Sequence, residues 1–108
     1  MKKVLLSCLL MLLPILASSE TVEIGGIYYN LIDSKTAEVT RNPNKYSGDI
    51  IIPESIDHNG STYTVISIGF HAFMDCSVLS SVSIPNSVTS IDAGAFKNCI
   101  ALTSVTIP

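Results

Sequence analysis

The feature that most constrains this chain is a segment that occurs twice. Residues 65–85 align with residues 88–108 at a constant offset of 23, and 11 of the 21 paired positions are identical. Nearly all apolar positions match, whereas the mismatches are mostly polar or small. Copies that keep their apolar residues and differ in their polar residues are typical of a solenoid, in which each unit packs against its neighbours. The identical pairs are Val65/Val88, Ser67/Ser90, Ile68/Ile91, Ala72/Ala95, Phe73/Phe96, Cys76/Cys99, Leu79/Leu102, Ser81/Ser104, Val82/Val105, Ile84/Ile107 and Pro85/Pro108.

Each copy contains a short alternating run that ends at a proline. The alternation predicts that Val82 and Ile84 share one face of a strand, as do Val105 and Ile107 on the next. The proline ends each strand because it has no N–H for a continuing ladder. Residues 88–91 supply a second extended piece.

Residues 94–99 are too short for an independent helix. We interpret them as one tight helical turn that buries Ala95, Phe96 and Cys99 together. The sequence therefore predicts a mainly β solenoid with 23-residue coils.

An upstream half-copy extends the repeat. Residues 51–56 resemble residues 83–88, and an insertion then interrupts the pattern. Asn59-Gly60 within that insertion predicts a β-hairpin, because a type I′ turn needs positive φ at both central residues. We expect about two and a half coils over residues 49–108, with a hairpin at the side of the first.

Residues 20–48 carry a different pattern. Apolar residues alternate on both sides of a polar turn at residues 33–35, which predicts a β-hairpin followed by a loop. Its position suggests a cap over the N-terminal end of the solenoid. The alternating residues are Ile27, Tyr29, Leu31, Ala37 and Val39.

The first 19 residues have the pattern of a secretory signal peptide. Lys2 and Lys3 precede an apolar run at residues 4–16, which is short for a transmembrane helix. Ala17 and Ser19 are small residues at the positions that signal peptidase requires for cleavage after Ser19. The sequence predicts export to the cell surface or the extracellular space.

Charge argues against two classes of partner. Residues 20–108 contain four basic and nine acidic side chains, a net charge of −5. Nucleic acids and anionic membranes both require basic patches, so neither is an expected partner. We also expect no transmembrane segment, because the apolar run at residues 4–16 is short.

Two cysteines follow the apolar segment, Cys76 and Cys99, at the same repeat position. Buried free thiols in the core are the favoured interpretation. A disulfide, which export would encourage, is the alternative. A metal site would require more than two ligands, so no metal is expected.

No catalytic motif is present. The sequence lacks G-x-S-x-G and H-E-x-x-H. His58 and His71 are interpreted as exposed turn residues, although Asp57, Asp75 and Asp92 would supply acids for a triad. We expect no enzyme activity, no catalytic or cofactor-binding residue and no cofactor.

The tyrosines are concentrated outside the repeated segment, at Tyr28, Tyr29, Tyr46 and Tyr63. Packing of Tyr29 in the cap, with the others as ordinary strand-face residues, is one interpretation. The other makes the hairpin near Tyr63 part of a contact surface, because tyrosine combines apolar area with a polar tip. The sequence does not identify which residues bind a ligand.

The phrase A-F-x-x-C-x-x-L-x-S-V-x-I-P-x-S-V resembles the BspA-like leucine-rich repeats of bacterial surface antigens, over residues 49–108. The stretch GIYYNL…AEVT resembles the N-terminal cap of that family. The resemblance implies a leucine-rich-repeat solenoid with short strands on one face. It also implies a secreted or surface-anchored adhesin-like protein that contacts a protein or glycan on host or neighbouring cells.

The alternative is a structural or truncated piece of a longer surface solenoid, without binding activity of its own. About three repeats are the usual minimum for a stable array, so marginal stability is expected. The last strand, residues 104–107, is predicted to have an uncovered edge through which the chain could self-associate.

Overall fold

The computed structural model describes residues 20–108. All regular secondary structure in these residues is β-strand, and nine strands form two sheets. The prediction of a mainly β chain is therefore confirmed. The predicted signal peptide, residues 1–19, lies outside the described residues.

The larger sheet has the strand order β1-β2-β3-β6-β5, and β8 pairs with the end of β6. β1 and β2 are antiparallel, as are β2 and β3, whereas β6 runs parallel to both β3 and β8. β5 and β6 form an antiparallel hairpin. The strands are β1 (Thr21–Ile24), β2 (Ile27–Leu31), β3 (Thr36–Thr40), β5 (Ser55–His58), β6 (Ser61–Ile68) and β8 (Ser90–Ile91).

The smaller sheet is entirely parallel, in the order β4-β7-β9. Its strands are β4 (Ser47–Ile51), β7 (Val78–Ser83) and β9 (Ser104–Thr106). Val82 pairs with Val105, and Ser81 with Ser104. The residues that align in the sequence are thus direct neighbours in the ladder.

The β5–β6 hairpin turns where the sequence predicted it. Asn59 and Gly60 have φ angles of 50° and 83°, which is the positive-φ pair that a type I′ turn requires.

The turn at residues 94–99 differs from the expected helical turn. Gly94 and Asn98 have φ angles of 67° and 60°, outside the right-handed helical region. The backbone therefore makes successive tight turns, and no helix occurs in residues 20–108. Ala95 is buried, but Phe96 and Cys99 are only half-buried. Three i to i+3 hydrogen bonds hold these turns, from the N–H groups of Ala95, Lys97 and Cys99 to the carbonyls of Asp92, Gly94 and Phe96.

Apolar side chains of both sheets and of the connecting turns form one core. Tyr46 packs on Phe73 with ring centroids 4.7 Å apart, and Phe73 stacks on Phe96 at 5.2 Å. The core contains Ile27, Tyr29, Leu31, Ala37, Val39, Tyr46, Ile52, Ile56, Val65, Ile68, Ala72, Phe73, Cys76, Leu79, Val82, Ile84 and Ala95.

Burial falls towards the last strand. Val82 is 1% exposed and its ladder partner Val105 is 37% exposed. Ile84 is 3% exposed, against 64% for Ile107. The side chains of the second copy are thus much more open than those of the first, because within residues 20–108 no strand packs beyond β9.

Tyr46 has a role that the sequence did not predict. Its ring is buried rather than on a strand face, and its hydroxyl donates to the carbonyl of Thr40 at 2.7 Å. The same hydroxyl accepts the N–H of Tyr28 at 2.9 Å. Tyr46 therefore joins β2 and β3 to the loop that enters β4.

Candidate functional site

The exposed side chains of β4 and β7 are mostly polar, with Ile51 and Val78 as the apolar exceptions. Two rows of side chains run across the smaller sheet in register, Asp49–Ser81–Ser104 and Ile51–Ser83–Thr106. Ser81 donates a hydrogen bond to the Asp49 carboxylate at 2.7 Å. Ile51 is 75% exposed, although its row otherwise contains hydroxyl residues. Because the fold accepts serine and threonine in this row, packing does not require an isoleucine.

Ile51 also lies on a free strand edge. β4 is the outer strand of the smaller sheet. The N–H of Ile52 donates to the carbonyl oxygen of Ser83 on β7 at 3.0 Å. Successive residues of a strand point their N–H groups in opposite directions, so the N–H and C=O of Ile51 face away from β7. β1 is likewise the outer strand of the larger sheet.

A pocket of about 470 Å³ is lined by residues of β1, β2, β4 and β5 and of the turn between β1 and β2. Buried Ile27, Tyr29 and Ile56 line its interior, and the exposed Ile51 and Gly25 also border it. Burial raises the pKa of Tyr29 to about 12, so its phenol remains protonated at neutral pH. The full lining is Ile24, Gly25, Ile27, Tyr29, Ile51, Pro53, Ser55, Ile56 and Asp57.

The charged groups in and beside the lining of this pocket are carboxylates. Asp57 lines it and accepts a hydrogen bond from the Thr62 hydroxyl at 2.7 Å. Glu54 lies between two lining residues, and the Glu23 carboxylate accepts the N–H of Gly26 at 2.6 Å, beside the lining residue Gly25. Neither the lining residues nor their chain neighbours include a lysine or an arginine. An apolar ligand with a positive charge would complement this surface.

The histidines do not form a catalytic site. His58 ends β5, and its Nε2 lies 3.6 Å from Glu20 Oε2, beyond hydrogen-bond distance. His71 has a φ of 57° and contacts Phe70 and Arg41. Both are half-buried rather than exposed. Neither lies within hydrogen-bond distance of both an acid and a nucleophile of residues 20–108.

Cys76 and Cys99, the two cysteines within residues 20–108, are free thiols. The Cys76 sulfur accepts the N–H of Tyr46 at 3.3 Å, and the Cys99 thiol donates to the carbonyl of Phe73 at 2.9 Å. Burial raises the pKa of the Cys99 thiol, which favours the protonated donor. Each sulfur thus forms a hydrogen bond with a backbone group of a residue that comes earlier in the chain. Residues 20–108 contain no cluster of three or more His, Cys, Asp or Glu side chains that could hold a metal ion.

The tyrosines divide between packing and the pocket. Tyr29 packs in the core, as one interpretation expected, and also lines the pocket. Tyr63 pairs with Ile56 across the β5–β6 hairpin and is half-buried against the core. The pocket itself could not be identified from the sequence, because it joins a turn between β1 and β2 to β4, two segments that are distant in the chain. The only available signal was Ile51, an apolar residue in a row of hydroxyls.

Residues 49–108 match the family model for the BspA type leucine rich repeat region (6 copies). The chain belongs to the BspA-type leucine-rich repeat family. This membership agrees with the repeated parallel strands, and the curled, mainly β fold is that of leucine-rich repeat proteins. Proteins with BspA-type repeats are typically found at the cell surface. A search of curated proteins found no match.

Three solved structures are similar. A leucine-rich repeat protein from Bacteroides ovatus is 30% identical with a TM-score of 0.69, and 81% of this chain covers 23% of it. A leucine rich cell surface protein from Faecalibacterium prausnitzii is 34% identical with a TM-score of 0.68, and 79% of this chain covers 22% of it. A leucine-rich repeat protein from Bacteroides capillosus is 35% identical with a TM-score of 0.70, and 80% of this chain covers 64% of it. The BspA-type chain described here therefore spans less than a quarter of the first two.

None of the elements formed by residues 20–108 is a helix of the length and hydrophobicity needed to cross a lipid bilayer.

Proposed function

We propose that this protein is an exported, non-enzymatic surface module that binds an extended segment of a partner protein at the pocket between β1 and β4. The observation that carries the proposal is the exposed Ile51 on a free strand edge beside that pocket. A partner strand that pairs with β4 would bind through backbone hydrogen bonds and insert one side chain between the two sheets.

The chemistry of the pocket defines the segment. Its interior of Ile27, Tyr29 and Ile56 suits an aliphatic or aromatic side chain. The carboxylates of Asp57, Glu54 and Glu23 favour lysine or arginine next to that side chain. The expected ligand is an extended basic segment with one apolar anchor.

The finer organisation of the chain belongs to the same proposal. We propose that residues 1–19 direct export, that residues 20–48 cap the solenoid and that residues 49–108 form coils of 23 residues. The in-register pairing of β7 with β9 and of β6 with β8 supports the coil length. The cell surface protein from Faecalibacterium prausnitzii supports a surface location, where protein or glycan ligands of neighbouring cells would be accessible.

The test is selection of peptides on the purified protein from a phage-displayed random library. We expect enrichment of an apolar residue flanked by Lys or Arg. Ile51→Ser should weaken binding of a synthetic enriched peptide by roughly tenfold, because an exposed aliphatic contact of about 1.5 kcal/mol is lost. Ile100→Ser removes a similarly exposed isoleucine from the last turn and should leave the affinity unchanged.

Two results would contradict the proposal. One is the absence of any enriched sequence, which favours a structural unit without binding activity. The other is an enriched peptide whose affinity is the same for Ile51→Ser and for the unmodified protein, which places the binding surface elsewhere.

A second candidate is self-association, which the exposed apolar residues near the free edge of β9 favour. Val105 and Ile107 are open to solvent there, and β9 has an unpaired side in the described chain. Sedimentation velocity over a concentration series tests this candidate. Val105→Lys should reduce the dimer fraction, and an unchanged distribution would argue against the β9 edge.

A further inference from the structure

Phe70, His71 and Arg41 form a cluster that the proposed peptide site does not use. The rings of Phe70 and His71 stack with centroids 3.6 Å apart and an interplanar angle of 30°. Arg41 Nη2 lies 3.4 Å from His71 Nδ1. Phe70 is nevertheless 60% exposed. We call these three residues the aromatic–arginine cluster.

The second copy of the repeat shows that the fold does not require this cluster. Ala93 and Gly94 occupy the positions that correspond to Phe70 and His71. His71 has a φ of 57°, and Gly94 has a φ of 67°. A non-glycine residue is disfavoured in this region because its Cβ lies too close to the following carbonyl oxygen. Strained positions that the fold could fill more cheaply are a recognised sign of function.

The cluster is also held in place before any ligand binds. A Cβ atom on Gly94 would lie 2.3 Å from Cδ2 of His71, so the histidine ring occupies the space above this glycine. A guanidinium group can only donate, so Nδ1 of His71 is the acceptor in this contact with Arg41. Phe70 therefore rests on a ring that is fixed from two sides.

Arg41 carries a charge that no neighbouring acid neutralises. Within residues 20–108, no carboxylate oxygen lies within 4.0 Å of its guanidinium. The nearby Glu38 is bound instead to Asn30 Nδ2 at 3.1 Å and to the Ser67 hydroxyl at 3.4 Å. In a chain with net negative charge, Arg41 thus provides an exposed positive charge that can pair with an anion.

We propose that the aromatic–arginine cluster binds a sugar ring that carries a carboxylate, such as a uronic acid unit of a polysaccharide. The apolar C–H face of a pyranose packs on the negative face of an aromatic ring, which Phe70 provides. Arg41 donates to the sugar carboxylate in a charge-assisted pair.

A peptide fits this surface less well than a sugar. The N–H groups of His71, Ala72 and Met74 already bond to the carbonyls of Ala93, Gly69 and His71. There is thus no free backbone edge here to pair with an added strand, in contrast to β4. A compact ring that stacks on one face needs no such edge.

The test is isothermal titration of the purified protein with oligogalacturonate and with a neutral galactose oligomer of the same length. We expect binding of the acidic oligomer only. Phe70→Ala copies the residue of the second repeat, so the fold should tolerate it, and it should weaken binding by roughly tenfold. Arg41→Gln should weaken it by about tenfold or more.

Val78→Ala, another exposed apolar truncation, and Ile51→Ser at the peptide pocket should leave sugar affinity unchanged. Thermal melts of every variant verify the fold.

Equal binding of the neutral oligomer would overturn the acidic class of ligand. Unchanged binding by Phe70→Ala, or no binding of the acidic oligomer at millimolar concentration, would overturn the site. If the unmodified protein binds the acidic oligomer but enriches no peptide, only the function proposed above is contradicted.

Discussion

Because Gly94 has no side chain, the ring of His71 can pack directly against it. Gly94 adopts its φ of 67° without strain and leaves the space that the imidazole fills. Gly48 has a similar φ of 68°, but a Cβ there would meet no atom within 4 Å. Alanine substitutions at the two glycines therefore distinguish the cost of backbone strain from the cost of a steric contact.

We expect Gly94→Ala to lower the free energy of unfolding by about 2–4 kcal/mol and Gly48→Ala by about 1–2 kcal/mol. Urea denaturation followed by circular dichroism measures both. In a His71→Gly background the two alanine substitutions should cost the same. If Gly94→Ala remains the more damaging substitution there, the histidine ring is not the cause.

At the scale of strands and turns, the internal repeat acts as its own control. Ile51 in place of Ser83 and Thr106, and Phe70 in place of Ala93, are departures that packing does not explain. Both proposals start from such a departure. A repeat within one chain can thus separate residues that the fold needs from residues that it only permits.

The alternation of apolar residues predicted much of the β architecture, because period-two patterning depends on local burial alone. The Asn59-Gly60 hairpin was predicted for a similarly local reason, its backbone dihedrals. β1 was not predicted, since its residues are exposed or half-buried and carry little pattern. Tyr46 was interpreted as an ordinary strand-face residue, and the pocket was not predicted, because the burial of Tyr46 and the pocket both depend on contacts between distant segments.

The hydroxyl of Tyr46 links β2 and β3 to the segment that enters β4, and its removal should weaken that connection. Tyr46→Phe leaves the Thr40 carbonyl and the Tyr28 N–H without this partner. We expect a loss of about 1–3 kcal/mol in the free energy of unfolding. Chemical denaturation checks this value, with Tyr63→Phe as a half-buried control expected to cost less. Equal effects would mean that the bridge contributes nothing specific.

At the scale of the whole molecule, stability is graded along the stack. The first copy of the repeat lies between neighbouring segments, whereas the second is packed on one side only within the described chain. Fewer buried contacts lower the free energy of local opening.

Matched truncations should reveal this gradient. Val82→Ala removes buried methyl groups and should cost about 2 kcal/mol, whereas Val105→Ala should cost less than about 1 kcal/mol. Hydrogen exchange should likewise be faster in β9 than in β7. Equal costs, together with equal protection of the two strands, would show that a further surface covers β9 in solution.

The positive-φ residues of the turns restrict how this protein can diversify. His71 and Gly94 occupy one such position, and Asp75 and Asn98 occupy the other. Glycine adopts this conformation without strain, and asparagine, aspartate and histidine adopt it more often than other residues do, so random mutation at these codons mostly produces unstable variants. Selection for new ligands would instead act on neighbouring positions such as Phe70/Ala93 and on the rows across β4, β7 and β9. A directed-evolution library built on this scaffold should keep the first set constant and randomise the second.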